Sequence, residues 1–126
     1  MGSAIILYIE DNFDNRLLVR RVLEIEGYRV VEAEDGIQAL DYLRSEIPDL
    51  ILVDINLPDM DGYEVTTRLK QIPSMAKVPV IAMTANVMKG DREKTLAAGC
   101  DGYIPKPIDI DSLSDQIARF LRKSYE

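Results

Sequence analysis

Three carboxylates, one hydroxyl and one ammonium stand at the ends of apolar runs in this sequence. Glu10 and Asp11 follow residues 4–9, Asp54 follows residues 50–53, Thr84 follows residues 80–83, and Lys106 sits between Pro105 and Pro107. Carboxylates gathered in one place repel one another and raise each other's pKa unless a cation lies among them. Oxygen ligands with high negative charge, and no thiol or imidazole beside them, suit a hard ion such as Mg2+. Magnesium keeps several of its waters and leaves room for a phosphoryl group. The metal, Lys106 and Thr84 would then form one oxyanion-stabilising pocket. The carboxylate most open to attack a phosphorus atom is Asp54, where its strand leaves the core. The next helix has its own cap in Asp61-Gly62-Tyr63-Glu64, with the D-x-x-E spacing of a capping box, and this leaves Asp54 free for chemistry.

Each of these residues also has an ordinary role. Glu10, Asp11 and Asn12 serve equally well to cap a following helix, and Thr84 does the same. Lys106 taken alone is a solvated lysine, and Tyr103 an amphipathic edge residue. The decision rests on whether the chain brings the five groups together.

Strand and helix alternate five times. Residues 4–9 form an unbroken apolar run, a central strand. The helix after it carries apolar positions at Phe13, Leu17, Val22 and Ile25 and stops at Gly27. Residues 28–33 mix Arg29 and Glu32 into the run and suit an edge strand. Asp35-Gly36 opens a second helix, striped by Ile37, Leu40 and Leu43 and ending before Pro48. The Asp54 strand is followed by a third helix over residues 62–71; Pro73 ends it, and Pro79 limits where the next strand begins.

The fourth strand, residues 80–83, is wholly apolar and ends at Thr84. A fourth helix over residues 86–98 contains Gly90, at a cost of about 1 kcal/mol. Residues 100–104 make a short edge strand containing Gly102. The proline-rich loop at Lys106 leads to a last helix capped by Asp109, with Leu113, Ile117, Phe120 and Leu121 on its buried stripe. Such alternation gives a parallel sheet with helices on both faces and right-handed crossovers. The three wholly apolar strands belong in the middle. That predicts an α/β three-layer sandwich of flavodoxin-like order 2-1-3-4-5. The first and third strands become neighbours, and ligand crevices open at the carboxyl ends of strands at such a switch point. All five polar groups fall there.

Composition narrows the field further. A chain of 126 residues is expected to be one domain over 1–126, with residues 1–3 start residues or an expression remnant. Its net charge of -7 argues against direct nucleic-acid binding, which needs clustered Lys and Arg. No apolar run approaches the roughly 18 residues of a membrane span, and no signal peptide is expected. Cys100, a lone cysteine, fits a reducing, cytoplasmic setting. With no histidine at all, histidine catalysis and histidine metal ligation within the chain are excluded.

The combined pattern resembles the receiver domain of two-component response regulators (CheY-like), from residue 4 to about residue 123. The carriers are Glu10-Asp11, the Asp54 strand with Leu57-Pro58-Asp59-Met60-Asp61-Gly62, Met83-Thr84-Ala85, and Tyr103-Ile104-Pro105-Lys106-Pro107. The resemblance implies that Asp54 accepts a phosphoryl group from a phosphohistidine on a histidine kinase or phosphotransfer protein. It implies Asp11, Asp54 and the backbone carbonyl of Asn56 as Mg2+ ligands, with Glu10 holding the metal's waters. Lys106 would pair with the phosphoryl oxygens, Thr84 would hydrogen-bond them, Ala85 leaves the site open, and Asn56 sits where the family tunes dephosphorylation. A cis bond before Pro107 is expected to turn Lys106 back toward Asp54, an isomer that costs X-Pro only about 0.5–1 kcal/mol.

Such a protein is a switch more than an enzyme, its own chemistry being Mg2+-dependent self-phosphorylation and slow hydrolysis of the acyl phosphate. Thr84 and Tyr103 are expected to carry the signal to the face of the fourth helix, fifth strand and fifth helix. Output would pass through a partner effector or through domains outside this sequence. One departure is mild: the family's acidic pair is often two aspartates, and here the first is Glu10. A flavin carrier shares the sheet order, but Glu10-Asp11-Asn12 would repel a flavin phosphate. A Mg2+-dependent phosphatase with an Asp nucleophile would want a second acid two residues on, where Asn56 stands.

Overall fold

Two of the strands are buried along their whole length, and the sheet is built around them. In the computed structural model, which describes residues 3–85 and 89–125, these are β3 (Leu50–Asp54) and β4 (Val80–Thr84). β1 (Ile5–Ile9) is buried from Ile6 onward, whereas β2 (Arg29–Ala33) and β5 (Gly102–Pro105) each expose residues to solvent. Their parallel order is β2-β1-β3-β4-β5, so the three apolar strands hold the centre. Helices α1 (Phe13–Ile25), α2 (Gly36–Tyr42), α3 (Gly62–Lys70), α4 (Lys89–Ala98) and α5 (Ile110–Tyr125) cover the two faces. This is the flavodoxin-like three-layer sandwich expected from the alternation.

Alternate strand residues point to opposite faces, and the core divides accordingly. Leu7, Ile9, Ile51 and Val53 pack with Ala39 of α2, Leu43 just past its end, and Val65 and Leu69 of α3. Ile6, Tyr8, Leu52, Ile81 and Met83 pack with Val19 and Leu23 of α1 and with Leu113 and Ile117 of α5. The helix starts are capped as their sequences ask: Asn12, Asp35 and Asp61 accept from the N–H of Asn15, Gln38 and Glu64. Asp109 accepts from the N–H of Asp111. Gly27 and Gly99, with φ of 96° and 101°, end α1 and α4 in the left-handed region that other residues avoid.

Two helix faces differ from the expected ones. On α1 the buried residues are Arg16, Val19 and Leu23, while Phe13, Leu17 and Ile25 are exposed. This helix carries apolar residues nearly all round, so periodicity alone leaves its rotation open. The strip beneath it is settled by what Tyr8 and Leu52 need to cover them. On α2 the buried residues are Gly36 and Ala39, followed by Leu43 just past its end, and Ile37 faces solvent. A Cβ on Gly36 would meet Met60 Cγ at 2.7 Å and Val65 Cγ2 at 2.8 Å, so α2 turns its smallest residue inward and Ile37 outward.

Boundaries move by a residue or two. β2 begins at Arg29, and α3 ends at Lys70, with one turn of 3-10 helix following at Pro73–Met75. α2 stops at Tyr42, well short of Pro48. β5 takes in Pro105, which an edge strand tolerates because one side of it needs no N–H donor. The expected first turn of the fourth helix, from residue 86, lies outside the described residues, as do residues 1 and 2; Gly90 falls inside α4. Phe120 is half-buried and lies over Gly102, where a Cβ would strike its ring. No described helix is long and apolar enough to cross a membrane.

Candidate functional site

The carboxyl ends of β1 and β3 lie side by side, with Ile9 opposite Val53 in the sheet register. The chain therefore leaves the sheet at Glu10 and Asp54 within reach of one another. Glu10, Asp11 and Asp54 each offer a carboxylate oxygen, and these oxygens all lie within 4.8 Å of one another. Glu10 and Asp54 are buried, while Asp11 is open to solvent. Asp54 Oδ1 accepts from the Asn56 N–H at 3.1 Å, which draws the loop after β3 around the carboxylate.

Lys106 reaches this cluster from the far side of the sheet. Its backbone N–H donates to the Thr84 carbonyl at 2.8 Å, and the peptide bond to Pro107 is cis. The ammonium lies 2.9 Å from Asp54 Oδ2 and 3.3 Å from Glu10 Oε1, a bridge between the two buried acids. Thr84 is buried at the end of β4, one residue beyond Met83, which pairs with Asp54. Tyr103 pairs with Ala82 across β4 and β5 and is partly exposed. All of the residues expected at the pocket thus stand at one end of one sheet, with Tyr103 beside it on the edge strand.

Burial, and then the neighbouring Asp54 carboxylate, push Glu10 up to about 7, against the opposing pull of the Lys106 ammonium and the Asn12 N–H. Burial works to lower Lys106, but its hydrogen bond to Asp54 and the two negative charges outweigh that and raise it. The ammonium therefore stays charged, and the acids hold more negative charge than one lysine offsets. A cation set among these carboxylates would favour their ionised forms. Three hard oxygen donors, one of them open to solvent, fit a divalent ion that keeps part of its water shell.

Three supporting residues escaped the sequence reading. Tyr8, fully buried on β1, donates its hydroxyl to Glu10 Oε1 at 3.3 Å, and burial first, then Glu10, raises its pKa. Arg16 turns its buried guanidinium back to the Glu10 carbonyl at 2.8 Å and toward Glu34 at 3.4 Å. Asp59 accepts from the N–H groups of Gly36 and Ile37 at the start of α2. The only hint of Asp59 was an acid on the loop after Asp54 with no task assigned. Arg16 and Tyr8 sit at positions that hydrophobic patterning reads merely as surface and core.

The match to known proteins extends over most of the chain. The family model described as response regulator receiver domain matches residues 6–118. The polar-differentiation response regulator DivK of Brucella anthropi is 42% identical over 116 residues, covering 92% of this chain and 94% of that protein. Among solved structures, the receiver domain of the sensor histidine kinase PA1611 from Pseudomonas aeruginosa PAO1 is 37% identical with a TM-score of 0.89. It covers 96% of this chain and 99% of its own, and it holds a magnesium ion in its active-site cleft. The chemotaxis response regulator CheY4 of Vibrio cholerae is 26% identical with a TM-score of 0.90, over 94% of this chain and 99% of that one. None of these matches supports a flavin carrier or a dedicated phosphatase.

Proposed function

The chain belongs to the response regulator receiver family, a family of phosphoryl-accepting signalling switches, and on that premise we propose that Asp54 is its phosphoacceptor. The observation that carries this reading is the Lys106 ammonium held between the buried carboxylates of Asp54 and Glu10, with Asp11 beside them. An Asp54 carboxylate oxygen attacks the phosphorus of a phosphohistidine on a histidine kinase or phosphotransfer protein. The P–N bond breaks, the histidine nitrogen leaves with the electron pair, and an acyl phosphate forms on Asp54. Lys106, already 2.9 Å from Asp54, is placed to pair with the new phosphoryl oxygens, and Thr84 to hydrogen-bond them. Asp11, Asp54 and the Asn56 carbonyl would hold Mg2+, with Glu10 binding its waters; the ion neutralises charge on the transferring group. Residues 1–126 are taken as one such domain, and the buried free thiol of Cys100 fits a cytoplasmic setting. Labelling with acetyl phosphate followed by peptide mapping tests the assignment, and a label on any residue other than Asp54 would overturn it.

The exposed apolar side chains of α1 favour one place for the phosphodonor. Phe13, Leu17 and Leu18 stand out from the helix that starts just after Glu10 and Asp11.

The pKa of Glu10 predicts how Mg2+ binding depends on pH. Without metal this carboxyl titrates at about 7, so at lower pH the ion competes with a proton. Mg2+ affinity should rise about 10-fold between pH 6 and pH 8 and then level off, with proton release visible as buffer-dependent heat in calorimetry. The same shift acts on the metal-free fold with the opposite sign. Glu10 holds its proton more readily folded than unfolded. Its contribution to stability is therefore complete below about 4.5 and lost as pH rises through about 7. Mg2+ should abolish that loss. An affinity independent of pH across this window would refute the coupling.

Signal leaves the pocket, in this reading, through Thr84 and Tyr103 toward the face made by α4, β5 and α5, where an effector docks. Thr84 moving toward a phosphoryl group vacates space that the partly exposed Tyr103 is placed to fill. The change requires only that the phosphorylated site favour one arrangement over the other. Beryllofluoride with Mg2+ should shift the Tyr103 ring resonances. Thr84→Ala should still be labelled yet lose most of the phosphorylation dependence of effector binding, and Lys106→Ala should behave similarly. Unchanged tyrosine spectra together with intact coupling in Thr84→Ala would rule this route out.

A further inference from the structure

Asp59 lies on the loop between β3 and α3, yet its carboxylate is bonded to the start of a different helix. Oδ1 accepts from the Gly36 N–H at 3.0 Å and from the Met60 N–H at 2.9 Å, and Oδ2 accepts from the Ile37 N–H at 2.9 Å. Burial opposes its charge, but these backbone N–H groups outweigh it and hold the carboxyl below the usual range. Gly36 and Ile37 are the first two residues of α2, which already has its own N-cap in Asp35, accepting from the Gln38 N–H at 2.8 Å. Two carboxylates from two different loops therefore share one helix start.

The joint is close as well as bonded. Met60, next to Asp59, fills the space in which any side chain on Gly36 would stand, with Cγ 2.7 Å from that Cβ position. Along this loop Leu57 and Met60 are partly buried against the core, while Asn56, Pro58, Asp59 and Asp61 are exposed. Packing holds the loop at the first two, and hydrogen bonds position it at the exposed residues. At its start the Asn56 N–H donates to Asp54, and at its end the Gly62 N–H donates to the Ile55 carbonyl at 2.9 Å. Asp59 supplies the anchor between them, on an element outside the pocket.

We propose that Asp59 is a positioning residue for the phosphoryl site: by tying the loop to α2, it sets the Asn56 backbone carbonyl at the metal position. The proposal rests on the reading of Asp11, Asp54 and the Asn56 carbonyl as Mg2+ ligands. Groups that orient ligands without touching the metal typically change affinity 10- to 100-fold when removed. A role confined to stabilising α2 would change melting alone.

The test compares three variants of the whole chain by Mg2+ calorimetry, with backbone amide hydrogen exchange read in the absence of metal. Asp59→Ala should weaken Mg2+ binding about 10-fold and speed exchange at Asn56 as well as at Gly36 and Ile37. Asp59→Asn, which keeps the shape but offers an NH2 group to one of the backbone donors, should shift both in the same direction by less. Asp35→Ala uncaps α2 without touching the loop and should leave Mg2+ affinity within about 2-fold of the unaltered protein. Unchanged Mg2+ affinity in both Asp59 variants, or an equal loss in Asp35→Ala, would overturn the proposal while leaving the ligand reading intact. An unaltered protein that binds no Mg2+ would overturn both.

Discussion

Replacing Asp54 with Asn is expected to reduce labelling by acetyl phosphate to background, and EDTA to do the same for the unaltered protein. The exchange conserves shape: an amide oxygen can still accept from Lys106 or from the Asn56 N–H, so the loop geometry need not change. On the proposed assignment the loss is that of the anionic oxygen that would attack phosphorus, and neither neighbouring acid is expected to stand in for it. Glu10 is buried, its Oε1 accepting from the Tyr8 hydroxyl, the Asn15 amide and Lys106 and its Oε2 from the Asn12 N–H. Asp11 is open to solvent and outside the bridge that Lys106 makes between Glu10 and Asp54. Metal dependence follows from charge. A phosphoryl group brought to three clustered carboxylates meets a single ammonium among the described residues, and a divalent ion would supply further positive charge. Label retained in Asp54→Asn, or formed at full rate in EDTA, would remove the basis of the assignment. Far-UV spectra of the variant must match the parent for the comparison to count.

The pocket was legible because its residues are tied to features that local sequence carries. Each acid stands where an apolar run stops, and a short apolar run bounded by turn residues suits a strand buried on both faces. Burial then orders the strands, and the order brings Glu10, Asp54, Thr84 and Lys106 to one rim. Helix rotation was less legible. α1 presents Phe13, Leu17 and Leu18 on one side and Val19 and Leu23 on another, so its apolar content points in two directions. The choice is made by contact with β1, and it leaves Arg16 buried because the Glu10 carbonyl and Glu34 satisfy its guanidinium. The roles of Tyr8 and Asp59 were hidden for a related reason. Tyr8 follows the apolar pattern of its strand, and its hydroxyl acquires a role only once the Glu10 side chain folds beside it. Asp59 bonds to N–H groups of a helix that precedes it in the chain, and only the close approach at Gly36 creates that meeting.

The same kind of close approach sets the second large expectation: Gly62→Ala should destabilise the domain by about 3 kcal/mol, at the upper end of the cost of overpacking. Gly62 is the first residue of α3, and a Cβ there would meet the Asp54 carbonyl oxygen at 2.5 Å and Ile55 Cα at 2.8 Å. Both are backbone atoms at the end of a fully buried strand, so no side chain can swing aside to relieve the clash. Relief requires moving α3 or the strand end, and the Gly62 N–H to Ile55 carbonyl bond at 2.9 Å is strained or lost in either case. Alanine's better helix propensity, worth at most about 1 kcal/mol, is too small to offset this. Gly27→Ala provides the internal comparison. Nothing lies within 4 Å of a Cβ at Gly27, and its cost comes only from φ of 96°, roughly 1–2 kcal/mol. Urea unfolding should therefore show the larger drop in midpoint for Gly62→Ala, at unchanged slope. Of the two, only Gly62→Ala should also slow acetyl phosphate labelling, because one of the displaced atoms is the Asp54 carbonyl oxygen. A Gly62→Ala protein as stable as Gly27→Ala and labelled at the parental rate would mean that the strand end yields more easily than its burial implies.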